Sequence, residues 1–354
     1  MTAKDATGGP ELPLDERQAK VLRSVILQHI QSGEPVGSRA VSRGARLQLS
    51  PASIRGIMAE LEERGLLSRA HSSAGRVPTD PAYRLYVDHM IRRPQVAPAQ
   101  ARAIDDALQG SRGEVAELLG EASRQLSVFS NRLGLVLAPE LSRVVVEHLE
   151  FVRLDDRRVV AILVGRSGLV HNRILDVEPA PAPEELDRIG NYLSVEFGGL
   201  TLPQMREALG RRLREERAAY DRLVAASLDL GSKALEADEG VAEVFIEGAS
   251  NLLLLPEFSD VDLVRPLFRA LEEKRLLIDL LGRVLEGEGV QVVIGEEDDL
   301  CRLSRCSLVA SSYGGPGRPM GSVGIVGPTR MEYSRAIALV DYLAGVLTRL
   351  LTSG

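Results

Sequence analysis

Apolar residues in the first part of the chain recur at the spacing of amphipathic helices. The first such segment runs to Ser32-Gly33, where the glycine and the following Pro35 predict the end of a helix. Its buried face is expected to consist of Leu22, Val25, Ile26, Leu27 and Ile30. A second, shorter helix is predicted after a cap at Ser38, with Val41 and Leu47 facing inward.

A third helix is predicted over residues 50–64. Ser50 suits the N-cap because its hydroxyl can accept from free backbone N–H groups, and Pro51 suits the first helical position. Gly65 favours the left-handed backbone that ends a helix. The expected buried positions are Ile54, Ile57, Met58 and Leu61. Three helices with short connections predict a helix-turn-helix.

The opposite face of this third helix begins with small or polar residues, which are Ala52, Ser53, Arg55 and Gly56. A helix end with short side chains and an arginine can enter a DNA major groove and reach base edges. Ser38 and Arg39, at the start of the second helix, are candidates for phosphate contacts, and Ser50 belongs to the same candidate surface. An ordinary amphipathic helix would show the same apolar stripe, so the segment alone leaves both interpretations open.

Residues 66–78 alternate between short apolar runs and a polar loop, which predicts a β-hairpin. Arg69, His71 and Arg76 lie on or near its tip, with Ser72 and Ser73 between them. A basic hairpin directly after a helix-turn-helix predicts a wing that contacts the phosphate backbone. A plain solvated hairpin is the alternative.

The rest of the chain alternates between strand and helix patterns, which predicts an α+β body. Residues 1–13 are polar and are interpreted as a disordered tail, and residues 92–100 as a linker. Strands are predicted at 144–154, 157–164, 169–177, 241–246, 290–294, 304–312 and 322–326. Helices are predicted at 101–133, 183–237, 261–285 and 332–351.

Charge is distributed unevenly along the 354 residues. Residues 1–93 contain 14 Lys and Arg and 10 Asp and Glu, so they are positive, whereas the whole chain has a net charge of −7. A positive N-terminal part is expected if only that part binds DNA. Cys301 and Cys306 fit no disulfide framework, and we expect reduced, core-located thiols in a cytoplasmic protein. No apolar run approaches the roughly 20 residues that span a membrane.

Enzymatic chemistry has weak support in the sequence. The five histidines show no metal-ligand spacing, and no Gly-x-Ser-x-Gly nucleophile elbow is present. The acidic run at 296–299 could hold a hard cation, but a solvated turn is the favoured interpretation. We therefore expect no catalytic, cofactor-binding or metal-binding residues.

Eight segments together resemble the HrcA family of heat-inducible repressors. They are GEPVGSR at 33–39, LSPASIR at 49–55, SSAGRVPTD at 72–80, YRLYVD at 83–88, NLL at 251–253, PEF at 256–258, IGEE at 294–297 and GIVGPTRM at 324–331. Each is weak alone, but they follow the family order over most of the chain. The chain departs from the family where Gly56-Ile57 replaces the usual asparagine and glutamate, and asparagine is a natural reader of adenine.

The resemblance implies a homodimeric repressor of chaperone operons that binds an inverted-repeat (CIRCE-type) operator in double-stranded DNA and is kept active by the GroE chaperonin. It also implies a winged-helix DNA-binding domain at 14–91, a GAF-like α+β domain at 101–177 and 256–354, and an inserted dimerisation domain at 178–255. A metabolite-responsive winged-helix regulator, which senses a small ligand through its GAF-like domain, remains the alternative.

Overall fold

The computed structural model describes residues 14–44, 49–69, 75–91, 95–111, 115–139, 144–166, 168–215, 222–235, 243–258, 261–287, 289–315 and 318–352. Helices and antiparallel sheets are both present, so the fold is of mixed α+β class, as predicted.

The N-terminal residues 14–91, called the head below, form three helices, a β-ribbon and a fourth helix. These elements are α1 (Glu16–Ser32), α2 (Ser38–Gly44), α3 (Pro51–Glu63), β1 (Leu67–Arg69), β2 (Arg76–Pro78) and α4 (Asp80–Leu85). Asp15 and Gln18 exchange hydrogen bonds in a capping box at the start of α1. The helix ends at Gly33, whose φ of 72° is the left-handed conformation predicted there. The expected apolar face of α1 is buried, apart from the exposed Leu27.

The remaining residues, called the body, contain ten α-helices, eight strands and short 3-10 helices at Pro256–Phe258 and Gly295–Glu297 within the described ranges. In chain order they are α5 (Pro98–Gly110), α6 (Val115–Ser130), β3 (Leu133–Leu137), β4 (Val146–Arg153), β5 (Arg158–Gly165), β6 (Val170–Asp176), α7 (Pro183–Phe197), α8 (Leu202–Glu215), α9 (Arg222–Leu235), β7 (Val244–Glu247), α10 (Ala249–Leu253), α11 (Val261–Glu273), α12 (Arg275–Val284), β8 (Val290–Ile294), α13 (Asp299–Ser304), β9 (Cys306–Gly315), β10 (Arg318–Pro328) and α14 (Tyr333–Thr352).

A five-stranded antiparallel sheet, in the order β7-β3-β10-β9-β8, lies at the centre of the body. Strand β3 shows why both of its faces are covered. Leu133, Leu135 and Leu137 belong to the apolar cluster of α11 and α12, whereas Val136 packs with the cluster of α6 and α14. Residues of one strand alternate between faces, so helices cover the sheet on both sides.

The predicted helical run at 183–237 contains three helices within its described residues, with a break at 198–201 between α7 and α8, and two further runs also differ from the observed elements. The run at 101–133 is two helices, α5 and α6, and its last residue Leu133 already begins the unpredicted strand β3. The run at 261–285 is broken at Lys274, whose φ of 53° separates α11 from α12. Apolar spacing continues across both positions, so periodicity alone could not locate these ends.

A second, three-stranded sheet of order β4-β5-β6 forms a separate unit with α7, α8 and α9. One apolar cluster runs through this unit from Val144 to Leu230. The predicted boundary at 177/178 separates these strands from the helices that cover them. Strand β7 pairs instead with β3 of the central sheet, although it lies within the predicted insertion. In the chain, the residues of this separate core therefore lie between β3 and β7. The GAF-like and dimerisation names given to these parts remain predictions.

Candidate nucleic-acid interface

Helix α3 has the cap and the buried face that the sequence predicts. The Ser50 hydroxyl accepts a hydrogen bond from the Ser53 backbone N–H at 3.1 Å, and Pro51 occupies the first turn. Ile54, Met58 and Leu61 are buried against the rest of the head, whereas Ile57 is only half-buried. This packing fixes which side of α3 faces solvent.

The predicted base-reading residues of α3 share one exposed surface at its N-terminal end. Ala52, Ser53, Arg55 and Gly56 are all exposed. The hydroxyl groups of Ser50 and Ser53 lie 3.0 Å apart. Apart from the adjoining backbone of α3, no atom of the described residues lies within 4 Å of the position that a Cβ would take on Gly56, so this site has room for a side chain. The surface is exposed and most of its side chains are short, which are properties that a groove contact needs.

Helix α2 precedes α3 in the chain, and its first residue differs from the prediction. The Gly37 carbonyl accepts from the Val41 N–H, so Ser38 is the first residue of the helix rather than its cap. Ser38 is half-buried and Arg39 is exposed. The predicted inward position Leu47 lies outside the described residues.

The ribbon carries a three-residue charge cluster that the sequence did not predict. Glu62 near the end of α3 contacts Arg69 on β1 at 2.7 Å and Arg76 on β2 at 2.7 Å. Arg69 and Arg76 are directly opposite each other in the ribbon, so one carboxylate holds both. The side chain of Arg76 is only 17% exposed, whereas that of Arg69 is 56% exposed. Of the two, Arg69 is thus the more accessible cation of the ribbon.

The other predicted wing residues, His71, Ser72 and Ser73, lie outside the described residues. Gly75 is required beside them, because a Cβ there would lie 2.4 Å from the carbonyl of Val36. Val36 and Arg76 exchange two backbone hydrogen bonds at that place. The ribbon is thereby fixed to the connection between α1 and α2.

The head is joined to the body through polar contacts from α4. Arg84 donates to the Val292 carbonyl and forms an ion pair with Glu297. The Glu296 backbone N–H donates to the Asp80 carboxylate at 3.2 Å. The acidic run at 296–299 is therefore not simply a solvated turn, since two of its residues bind the head.

Aromatic and imidazole groups form a more buried part of the same contact. The rings of Tyr83 and Tyr333 are 5.8 Å apart between centroids, and His29 Nδ1 lies 2.8 Å from the Tyr83 hydroxyl. Burial, together with the positive charge of Arg330, lowers the pKa of His29 to about 4. His29 is consequently neutral near pH 7 and can accept a hydrogen bond from Tyr83.

The described ranges contain no candidate metal site. No group of three or more His, Cys, Asp or Glu side chains there could hold a metal ion. Cys301 and Cys306 are buried and free, and the hydrogen bond that the Cys306 thiol makes with Cys301, together with burial, raises the pKa of that thiol. Among the same residues, none of the helices combines the length and the apolar character needed to span a membrane.

Both the sequence and the fold of this chain are similar to those of known proteins. Residues 116–337 match the family described as HrcA protein C terminal domain. The chain is 42% identical over 338 residues to the heat-inducible transcription repressor HrcA of Geobacter sulfurreducens, which covers 96% of this chain and 98% of that protein. It is 40% identical over 334 residues to the protein of the same name from Xanthomonas euvesicatoria pv. vesicatoria, covering 94% and 95%.

A solved structure shares the fold. The crystal structure of a hypothetical protein at 2.2 Å resolution aligns over 96% of this chain and 99% of that chain, with a TM-score of 0.64 and 22% sequence identity. At this identity the similarity concerns the fold alone.

Proposed function

Since the chain belongs to the HrcA family of heat-inducible transcription repressors, we propose that it represses heat-shock chaperone operons by binding an inverted-repeat (CIRCE-type) DNA operator as a homodimer. Family membership confirms the resemblance drawn from the eight sequence segments. Transcription repression is not an enzymatic activity, and the proposal assigns the chain no catalytic step. The observation that carries the proposal is the exposed N-terminal surface of α3.

In this proposal the head is a winged helix whose helix α3 enters the major groove. Arg55 is exposed and makes no ion pair within the described part of the chain. A guanidinium that is not engaged by the protein is available for a bidentate contact to a guanine edge. Ala52, Ser53 and Gly56 surround it with small side chains, which let the helix backbone approach the bases closely.

Phosphate contacts are assigned to the periphery of that surface. Arg39 is exposed at the first turn of α2, and Ser38 precedes it. On the ribbon, Arg69 and Arg76 stay with Glu62 in the absence of DNA, and a phosphate would exchange with that carboxylate. His71, Ser72 and Ser73 are proposed to extend the contact into the adjacent backbone or minor groove.

The proposed dimer contact is the outer face of the three-stranded sheet. Helices α7, α8 and α9 cover one face of this sheet, and the other face presents apolar side chains to solvent. Val152, Val160 and Ile174 form one cross-strand row on it, and Val164 and Val170 lie side by side in another. Ile174 is 58% exposed and Val170 is 59% exposed. An apolar patch of this kind is typical of a protein interface, and a two-fold pair matches an inverted repeat.

Chaperonin binding is proposed for a second apolar position, on α10. Leu253 is 57% exposed and the following Leu254 is 81% exposed, whereas Leu252 beside them is fully buried. GroE is expected to recognise such exposed leucines and to maintain the active fraction of the repressor, since about 1–2 kcal/mol changes that fraction several-fold. Purified protein that keeps full operator binding on heating, with or without chaperonin, would contradict this part of the proposal.

The dimer and the operator can be tested together. Ile174→Asp places a charge in the proposed interface, and Val195→Asp is the matched control because Val195 is 82% exposed on α7. We expect sedimentation to give a dimer for the native chain and for Val195→Asp, and a monomer for Ile174→Asp. The monomer should bind an operator with two half-sites no more tightly than a single half-site. A dimeric Ile174→Asp protein would reject this interface, and equal affinity of the native dimer for one and two half-sites would reject two-fold operator binding.

A further inference from the structure

Three arginines converge on a cleft between the head and the body that the DNA-binding proposal does not use. The cleft has a volume of about 420 Å³ and is bounded by Ile30 and Gln31 of the head. Arg132, Arg330 and Arg335 line it from the body. Glu332 is the one acidic side chain among its described lining residues, so positive charge is in excess.

Arg132 is the least satisfied of these arginines. It donates to the Asn131 carbonyl at 2.9 Å, but its Nε atom is buried without a hydrogen-bond partner among the described residues. Burial and the positive charge of Arg330 both lower the pKa of Arg132. An unpaired buried donor next to a second cation is costly, and a bound anion would remove both costs.

The other two arginines have different partners. Arg330 donates to the Ile30 carbonyl at 2.9 Å and pairs with Glu257, so it holds the end of α1 against the body. Arg335 is 57% exposed and lies 3.8 Å from Glu332, which is a loose ion pair. Arg132 therefore shares the cleft with Arg330, whose guanidinium is held by two partners, and with Arg335, whose guanidinium is loosely held.

We propose that this cleft binds a small phosphate-bearing molecule that bridges the head and the body. Arg132 has a buried Nε without a partner among the described residues and Arg335 is only loosely paired, so these two guanidinium groups can bind an anion with several acceptor oxygens, and arginine is favoured where phosphate is recognised. The volume is that of an ordinary small-molecule site and exceeds the space a phosphate alone would fill, which leaves room for an organic group. Because Ile30 lies near the end of α1, occupation of the cleft would stabilise one orientation of the head relative to the body.

The test uses the full-length protein without DNA, with inorganic phosphate as the probe and acetate and chloride at matched ionic strength as controls. Phosphate should raise the melting temperature saturably, and calorimetry should give a single site. Arg132→Gln and Arg335→Gln should each weaken phosphate binding by about 10- to 100-fold, because each removes a charged hydrogen-bond donor. Arg124→Gln should bind like the native chain, since Arg124 pairs with Glu121 and does not line the cleft.

Several results would overturn the proposal. An equal rise in melting temperature in phosphate and acetate, or in all variants, would mean that the anion stabilises the protein without binding specifically in the cleft. Absence of saturable phosphate binding would also overturn it, and the exposed Arg335 gives a variant whose folding is not at risk. A second arm, which rests on the proposed function, measures operator affinity with and without phosphate. Phosphate binding with no effect on DNA would refute only the bridging role, whereas loss of operator recognition under all conditions would refute only the proposed function.

Discussion

Replacing Gly56 by alanine should strengthen helix α3. Gly56 lies in the interior of this helix and is exposed, and outside the adjoining helix backbone no atom of the described part of the chain lies within 4 Å of an added Cβ. Glycine costs about 1 kcal/mol relative to alanine at such a position, and no steric cost offsets the gain. We therefore expect the local free energy of opening of α3 to rise by about 1 kcal/mol.

Amide hydrogen exchange on the full chain measures this quantity locally. A gain of that size corresponds to exchange about five-fold slower for the amides of α3. Gly282→Ala is the matched control, because Gly282 is also helical with nothing near an added Cβ, but lies on α12. It should slow exchange in α12 only. Unchanged or faster exchange of α3 in Gly56→Ala would refute the exposed and unobstructed position assigned to Gly56.

Four further changes test the DNA surface and the joint between head and body. Gly56→Asn should create a preference for adenine at one operator position of about 1–3 kcal/mol, measured by titrating operators that differ at single base pairs, and a flat profile would remove this position from base reading. Arg55→Ala should weaken operator binding by about 1–3 kcal/mol and random-DNA binding less, whereas equal losses would assign Arg55 to the backbone. Glu62→Gln frees Arg69 and Arg76, so the slope of the logarithm of the random-DNA binding constant against the logarithm of salt concentration should steepen by about one to two units. The control Glu63→Gln should keep the native slope. The same slope in both variants would argue against phosphate contacts by these arginines. The pKa of His29 is lowered to about 4 in the folded chain. Between about pH 6.5 and 4 the unfolded chain therefore binds a proton at this imidazole that the folded chain does not bind. The free energy of unfolding consequently falls as the pH falls through this window. After allowance for its partial exposure, the native chain should lose about 1–2 kcal/mol more than His29→Gln between pH 7 and 5 in urea unfolding, and parallel losses would contradict the burial of this imidazole.

Helices α1 and α3 of the head were predictable because their ends depend on local sequence. The cap at Ser50, the proline at position 51 and the glycine at 33 each act on the backbone within a few residues. The periodicity of α3 then determines its exposed face. The candidate surface of Ala52, Ser53, Arg55 and Gly56 follows from that local pattern alone.

The charge clusters were not predictable, because their members meet only after folding. Glu62 contacts Arg76 across 14 positions, and Arg330 reaches Ile30 across 300. No spacing rule connects such residues. The separate core of the three-stranded sheet was missed for a similar reason, since the pairing of β7 with β3 is a long-range contact.

Sequence-specific operator binding can be measured by anisotropy titration at two salt concentrations with GroE present. The two DNAs are an inverted-repeat chaperone operator and scrambled DNA of the same length. The native dimer should prefer the operator by at least about 1,000-fold, and the ratio of the two affinities should depend less on salt than either affinity does. Equal affinities for the two DNAs at both salt concentrations would contradict sequence-specific operator binding.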